Sequence, residues 1–506
     1  MPVTTRLAAA MLAAMFGAAP AILAQSAPPV QPPPDSIGRE AVATVQDGDA
    51  ARRGRWLARV LSASARKSDS ASSDQLLARL HETGAPFQFV GFNQFGRHRF
   101  VKLASPRTGR VVTLDLATDR AEPDRLAPLD VLESHAAVKD SIAWPTTRPR
   151  SEAAAMTVVL QNLARLERGG ALSGAVYVAR GDSVLLSRGY GLANREDSAA
   201  NTSRTRFALA SMGKMFTATS ILQLVDAGKL RLDDTLGRVL PAYPNRERAE
   251  RITIRQLLEH SAGLGDLWST PKRPVDGLTG QLAVAGAVAH APLLFEPGTR
   301  WSYSNEGYVV LAAVVEQLSG ERFQDYVARH VLVPAGMTET VLAGGPDDFV
   351  PFRAVGYRPR ADDPLGALAP RANWSFIGPG ASGAGGGYSS VGDIARFARA
   401  LRTGRLISDS LRTAMWTGRW DIPGYAGQKY GFASFVQPLG ARLAVGHGGG
   451  GTGSGMDNGF KQFTDGSYVV VVLANMEPPT GGVLADAIIA FLGAPVESPA
   501  TSSLHR

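Results

Sequence analysis

Ser211 and Lys214 stand three residues apart in Phe207-Ala208-Leu209-Ala210-Ser211-Met212-Gly213-Lys214-Met215-Phe216-Thr217. This stretch runs into the apolar segment Ile221-Leu222-Gln223-Leu224-Val225 and stops at Gly228. On a helix, residues at i and i+3 share a face with Cβ atoms about 5–6 Å apart, so the lysine amine reaches the serine hydroxyl. A serine hydroxyl becomes a nucleophile when a neighbouring base takes its proton, and a partly desolvated lysine can be neutral enough to do so. The first turn of the helix adds free backbone N–H groups and the positive end of the dipole, both suited to a developing oxyanion. Standing alone, Ser-x-x-Lys is more simply a solvated helix face.

Two further stretches change that balance. Phe295-Glu296-Pro297-Gly298-Thr299-Arg300-Trp301-Ser302-Tyr303-Ser304-Asn305-Glu306-Gly307-Tyr308 places a phenol and an amide, Tyr303 and Asn305, one residue apart. On one side of an extended turn they can relay a proton and bind a substrate carbonyl; a structural tyrosine in a turn is the plainer alternative. Val445-Gly446-His447-Gly448-Gly449-Gly450-Gly451 follows the β-prone Arg442-Leu443-Ala444. Its glycines let a substrate lie against a strand edge and leave a backbone N–H to face an oxyanion, where the alternative is a flexible turn.

These residues need a frame, and the chain is long enough to build one. Its 506 residues carry 53 Lys+Arg against 45 Asp+Glu, a formal charge of +8, with 44% hydrophobic residues, 55 Gly, 32 Pro and no Cys. Without cysteine there is no disulfide framework, thiolate nucleophile, Cys-ligated metal or Cys-based lipid anchor, so a nucleophile must be Ser, Thr, Lys or a carboxylate. The basic residues are scattered rather than clustered, which argues against nucleic acid as a partner. The eight histidines are dispersed and no H-E-x-x-H occurs, so neither a metal nor another cofactor is expected. No G-x-S-x-G elbow and no Walker or dinucleotide fingerprint is present.

Along the chain, residues 1–24 combine Arg6 with the apolar run Leu7 to Ala24, interrupted by Gly17 and Pro20, and read as a secretory signal peptide cut after Ala24. That address predicts a secreted or periplasmic protein with no stable membrane insertion after cleavage. Residues 25–37 form a Pro-rich tether. Residues 38–135 read as a small α+β accessory domain: a helical region, broken near Ser68–Ser73, precedes the strand candidates Phe87–Val90, Phe100–Leu103 and Val111–Leu116. The helix-then-meander order is loosely similar to the cystatin-like or NTF2-like companions of some secreted hydrolases, and a docking or stabilising role is expected. Residues 136–151, with Trp144-Pro145 and Pro149, are a linker.

Residues 152–495 open with a helix from Ala153 to Leu166 and a hairpin around Gly181-Asp182. They close with Tyr468-Val469-Val470-Val471-Val472-Leu473 and a last helix from Val483 to Leu492. A long, mostly helical stretch from Met212 to Ile407 lies between. Strands at both ends and helices in the middle predict an antiparallel sheet assembled from the two termini, with a helical insertion over one face, and residues 496–506 as a tail.

The three motifs, in this order, resemble the serine β-lactamase and penicillin-binding-protein superfamily. They are closest to its class C-like branch, which includes family VIII carboxylesterases and D-stereospecific peptidases. Ile252-Thr253-Ile254-Arg255-Gln256-Leu257-Leu258-Glu259-His260-Ser261-Ala262-Gly263-Leu264 and Gly385-Gly386-Gly387-Tyr388-Ser389-Ser390-Val391-Gly392-Asp393-Ile394-Ala395-Arg396-Phe397 resemble two further stretches of that family.

The resemblance implies a β-lactamase/transpeptidase-like α+β fold in which Ser211 is acylated while Lys214 and Tyr303 share general-base and general-acid work. It implies that Asn305 positions the chain and Lys214, that the oxyanion sits between the N–H groups of Ser211 and Gly450, and that His447 and Gly449 belong to the third, substrate-binding motif. It also places His447 where the family more often has lysine. A neutral imidazole suits the carboxylate of β-lactams less well, so hydrolysis of an ester or amide in a small-molecule or peptide substrate is favoured over β-lactam hydrolysis. His260 is expected to be structural. A sensor that keeps the fold but turns nothing over is the remaining alternative.

Overall fold

The computed structural model describes residues 36–95, 98–107, 110–119, 121–136, 144–265, 280–342, 348–358, 370–373, 381–423, 425, 427–451, 454–478 and 480–496. The expected signal peptide, nearly all of the tether, the loop Asp266–Gly277, much of Arg353–Gly378 and the tail beyond Val496 lie outside the described residues.

The described residues open with four helices, α1 (Ser36–Asp47), α2 (Ala50–Val60), α3 (Ala63–Ser68) and α4 (Ser70–Gly84). Asp49 and Ser62 cap α2 and α3 by accepting from Arg52 N–H and Ala65 N–H, and the break predicted near Ser68 falls at Asp69. Four strands follow as an antiparallel meander, β1 (Gln88–Phe95), β2 (His98–Ser105), β3 (Arg110–Asp115) and β4 (Asp130–Ala136). The fourth strand was not anticipated from the sequence. Val101, Leu103, Val112 and Leu114 meet Trp56, Leu57, Leu77 and Leu80 in a core that this unit keeps to itself.

Helix α5 (Glu152–Arg168), capped by Ser151, leads into the hairpin β5 (Gly174–Arg180) and β6 (Ser183–Tyr190). The chain then leaves the sheet for the helices α6 (Lys214–Asp226), α7 (Ile254–Leu258), α8 (Asn305–Ser319) and α9 (Val391–Arg402), with shorter ones between. It returns through β7 (Trp420–Asp421), β8 (Lys429–Tyr430), β9 (Phe435–Leu439), β10 (Arg442–Gly451), β11 (Met456–Phe463) and β12 (Tyr468–Ala474), and ends in α10 (Gly481–Gly493). The strand order is β7-β8-β9-β10-β11-β12-β5-β6, antiparallel throughout. The first hairpin thus pairs with the last strand, as expected for a sheet assembled from both ends.

The valine run of β12 explains itself. Val469, Val471 and Leu473 face the helical layer, while Tyr468, Val470 and Val472 face α5 and α10 through Val159, Leu163, Ile488 and Phe491. A strand covered on both faces reads as a continuous apolar run instead of an alternating one. In the helical layer α6 and α8 are buried on nearly every side, so their sequences lack the polar stripe of a surface helix. Beside them, the described end of the linker is strapped to the C-terminus: Arg148 N–H donates to the Pro495 carbonyl (2.8 Å) and Trp144 packs on Phe491. Among the described residues no helix is long and apolar enough to cross a membrane.

Candidate active site

The expected helix spacing of Ser211 and Lys214 is realised in a tighter form. Ser211 lies in a 3-10 turn, Ala210–Gly213, and Lys214 opens α6 directly behind it. In a 3-10 turn residues i and i+3 eclipse, which brings the two side chains together: Lys214 Nζ is 3.2 Å from Ser211 Oγ. Ala210, just before the serine, has φ +47°, a left-handed conformation that a residue with a Cβ seldom adopts. The surroundings hold it there. Ala210 O accepts from Gly386 N–H (3.0 Å), Leu209 N–H donates to Gly387 O (2.9 Å), and Phe207–Ala208 pairs with Tyr388–Ser389. Gly385 is required at this crossing, since it has φ +139° and a Cβ on it would lie 2.2 Å from Ala210 O.

Lys214 is fully buried, and its Nζ lies within hydrogen-bond distance of three oxygens: Ser211 Oγ, Asn305 Oδ1 (2.6 Å) and the Ala384 carbonyl. Three surrounding oxygens fix the nitrogen in one place. Asn305 comes from the start of α8, where Ser304 caps the helix by accepting from Gly307 N–H (3.0 Å) and donates to Gly265 O (2.7 Å). Tyr303 precedes the cap, almost wholly buried, with its ring 4.9 Å from Lys214 Nζ. Tyr303 and Asn305 therefore flank a helix N-terminus, where the sequence had pointed to an extended turn, and both approach the same amine.

The glycine strand completes the arrangement. β10 pairs with β11 as far as Gly451↔Met456, but with β9 only as far as Phe435↔Gly446, so among the described residues no strand covers residues 447–451 on that edge. A Cβ on Gly449 would lie 2.1 Å from Leu209 O and 3.0 Å from Met212 N, which shows how closely this strand passes the serine turn. Gly450, at φ +142°, is opposite Asp457. Ser211, Lys214, Tyr303, Asn305 and Gly449 are thus brought together from segments far apart in sequence.

His447 sits within this group but offers no free ring nitrogen. It is fully buried, with Nδ1 2.6 Å from Gly448 O and Nε2 3.0 Å from the Tyr430 hydroxyl. On its other side Tyr430 meets His260 Nε2 (3.2 Å), while His260 Nδ1 accepts from Ser304 N–H (3.1 Å). His260 follows α7, a helix started by the reciprocal Thr253–Gln256 capping box that the Thr-Ile-Arg-Gln spelling encodes. Its ring stacks among Trp301, Tyr303, Tyr308 and Tyr430.

Sequence reasoning did not single out Tyr430, Ala384 or Tyr308. A backbone carbonyl carries no side-chain signature, and a lone tyrosine in Lys429-Tyr430-Gly431 carries none either. Among the described residues no group of three or more His, Asp or Glu is placed to hold a metal ion.

Burial holds both imidazoles neutral. His447 is pushed down from 6.5 to about 3, by desolvation first and then by the charge of Lys214. His260 is held well below 6.5, again by desolvation and then by Lys214. The unfolded chain takes up protons on these histidines below about pH 6.5, whereas the native state does not, so stability falls as the pH drops through that value. From pH 7 to pH 5 His447 should remove about 2 kcal/mol of stability, at a slope of ~1.4 kcal/mol per pH unit, and His260 should act in the same direction. Denaturant midpoints at the two pH values check this; equal midpoints would contradict it, and His447→Gln should make the difference smaller.

Comparison with known proteins agrees with this geometry. The family model described as Beta-lactamase matches residues 156–494. The putative penicillin-binding protein PbpX of Bacillus subtilis (strain 168) is 30% identical over 269 residues, 53% of this chain and 62% of that protein. The esterase EstB of Burkholderia gladioli is 34% identical over 262 residues, 46% of this chain and 66% of that protein. The chain thus covers less than two thirds of these curated relatives. The crystal structure of a penicillin-binding protein from Bacillus halodurans superposes with a TM-score of 0.56 at 29% identity, covering 66% of this chain and 98% of that one. A D-stereospecific amidohydrolase from Streptomyces sp. gives 0.52 at 25% identity, over 64% and 96%. With a family model spanning most of its length and the three motifs assembled around one buried lysine, this chain belongs to the beta-lactamase family.

Proposed function

We propose that the chain is a serine hydrolase that cleaves an ester or amide through an acyl-enzyme on Ser211. The observation that carries this is the buried cluster in which Lys214 Nζ meets Ser211 Oγ and Asn305 Oδ1 beside the open edge of the glycine strand.

In the forward step the Ser211 Oγ–C bond forms as the Oγ proton passes to the Lys214–Tyr303 pair, and the carbonyl π electrons move onto oxygen. The N–H groups of Ser211 and Gly450 receive that oxyanion in a buried site whose groups are already in place, with Gly449 leaving room for the acyl chain to run along the strand. Collapse expels the alcohol or amine, which takes the proton back from the pair. Water then repeats the sequence on the acyl-enzyme and releases the acid. Asn305 keeps Lys214 aimed at the serine throughout.

An ester or amide without a carboxylate beside the reacting carbonyl fits best, because His447 is neutral and both its nitrogens are engaged. The esterase and amidohydrolase relatives support the same class. The reading extends to export, with cleavage after Ala24, and to the N-terminal helices and meander as a docking or stabilising unit of the cystatin-like or NTF2-like kind.

The test compares initial rates on p-nitrophenyl butyrate and a chromogenic cephalosporin, with Ser211→Ala as the blank. Ester turnover should exceed cephalosporin turnover by about a hundredfold, the scale of one lost charge-assisted contact of 2–3 kcal/mol. Dominant cephalosporin turnover would make the protein a β-lactamase. Stable acylation without release would make it a sensor.

A further inference from the structure

The middle residues of the second and third motifs, Ser304 and Gly448, are joined by an unbroken series of hydrogen bonds through His260, Tyr430 and His447. Both ends are backbone groups with only one possible role, and this sets the direction of every bond between them. Ser304 N–H can only donate, so His260 Nδ1 accepts and its proton is on Nε2, which donates to the Tyr430 oxygen. Tyr430 then donates its own proton to His447 Nε2. The remaining proton of His447 is on Nδ1, directed at the Gly448 carbonyl, which can only accept.

We propose that Tyr430 is a positioning residue of the site: with His260 it forms a one-way relay that locks His447 as a neutral Nδ1–H imidazole and ties the second motif to the third. A proton added at His447 Nε2 would have to reverse Tyr430. Reversing Tyr430 onto His260 would require His260 to carry its proton on Nδ1, against the Ser304 N–H. Tyr308, the other phenol against Tyr430, directs its proton to Leu258 O (2.7 Å), so its oxygen is a second acceptor facing Tyr430; the Tyr430 proton goes to His447 Nε2 because Gly448 O holds the His447 proton on Nδ1 and leaves Nε2 a bare acceptor.

The charged and titratable groups around the relay act in the same sense. Lys214 and Lys461 both oppose a charge on His447, and Lys214 opposes one on His260. Tyr303 faces both imidazoles, with ring centroids 4.3 Å and 6.5 Å away. Phe435 and Trp301 close the cluster with apolar surface. Lys461 is itself paired with Asp486 at 2.8 Å.

The specificity that follows rests on the hydrolase reading above. A wall held neutral, and turned inward on its own hydrogen bonds, gives nothing to a substrate carboxylate. The acyl groups it accepts are uncharged next to the carbonyl.

The experiment is a long-range 1H–15N spectrum of the full chain labelled with 15N-histidine, recorded from pH 5.5 to 8, beside the kinetics of Tyr430→Phe on p-nitrophenyl butyrate. Two of the eight histidines should not titrate, one as the uncommon Nδ1–H tautomer and one as Nε2–H, and Tyr430→Phe should shift both. The signal lost in His447→Gln identifies His447. Finding that signal as Nε2–H, or titrating near pH 6.5, overturns the relay, and the wild-type spectrum decides this even if Tyr430→Phe does not fold.

Folded Tyr430→Phe should lose about tenfold in kcat with KM little changed, because the relay aligns groups that act in the transition state. An unchanged kcat overturns the positioning role. If the wild type shows the two locked tautomers but no Ser211-dependent hydrolysis, the relay stands and the hydrolase reading falls.

Discussion

Ser211→Ala should lower the rate on a p-nitrophenyl ester by about 10⁴-fold or more while leaving the chain folded. The hydroxyl is the one atom in the cluster that can form the acyl bond, and its neighbours have no bond-forming task without it. The fold should tolerate the change, because Lys214 Nζ keeps Asn305 Oδ1 and the Ala384 carbonyl as acceptors. One hydrogen bond of about 1 kcal/mol is lost, which shifts the melting temperature of a chain this size by only a few degrees. Initial rates and a thermal melt on the same preparation check both halves. A folded variant with wild-type turnover would remove Ser211 as the nucleophile.

Lys214→Ala should be almost as damaging, by about 10³- to 10⁴-fold in kcat, and Lys214→Arg should not restore more than a small part of it. A guanidinium keeps a positive charge near Ser211 Oγ but cannot give up its proton at any working pH, so it replaces the electrostatics without the proton transfer. Its planar fork also does not fit a pocket whose three acceptors surround a single nitrogen. Combining Lys214→Ala with Ser211→Ala should be no worse than Ser211→Ala alone, since groups that act as a unit do not lose activity additively. Recovery of a tenth or more of the activity in Lys214→Arg would show that charge alone suffices and would move the proton transfer to Tyr303.

Those two variants could be chosen from the sequence, because the chemistry was written in residue types at short spacing. Ser-x-x-Lys, Tyr-x-Asn and His-Gly-Gly each keep their members within one turn or one strand, where local geometry dictates who meets whom. The valine run of β12, the helices on either side of it and the hairpin at Gly181-Asp182 were legible for the same reason, since burial on two faces and a tight turn leave local marks. The sequence did not reveal that the serine would be buried, at 5% exposure, because that depends on α8, β10 and the segment 383–387 converging on it.

What the sequence by itself determined is therefore which serine, lysine, phenol and amide would be found together, and the plan of a sheet made from both ends of the chain. What only the tertiary structure decided is how they are held. The Ala384 carbonyl on the lysine, the left-handed Ala210 under Gly385 and the series from Ser304 through His260 and Tyr430 to His447 all join residues from 17 to 175 positions apart, and the edge of β10 at 447–451 is set by where its pairing with β9 stops. Backbone acceptors and close backbone crossings leave almost no trace in side-chain type, and the direction of a hydrogen-bond relay is set by its ends, which meet only when the chain has folded.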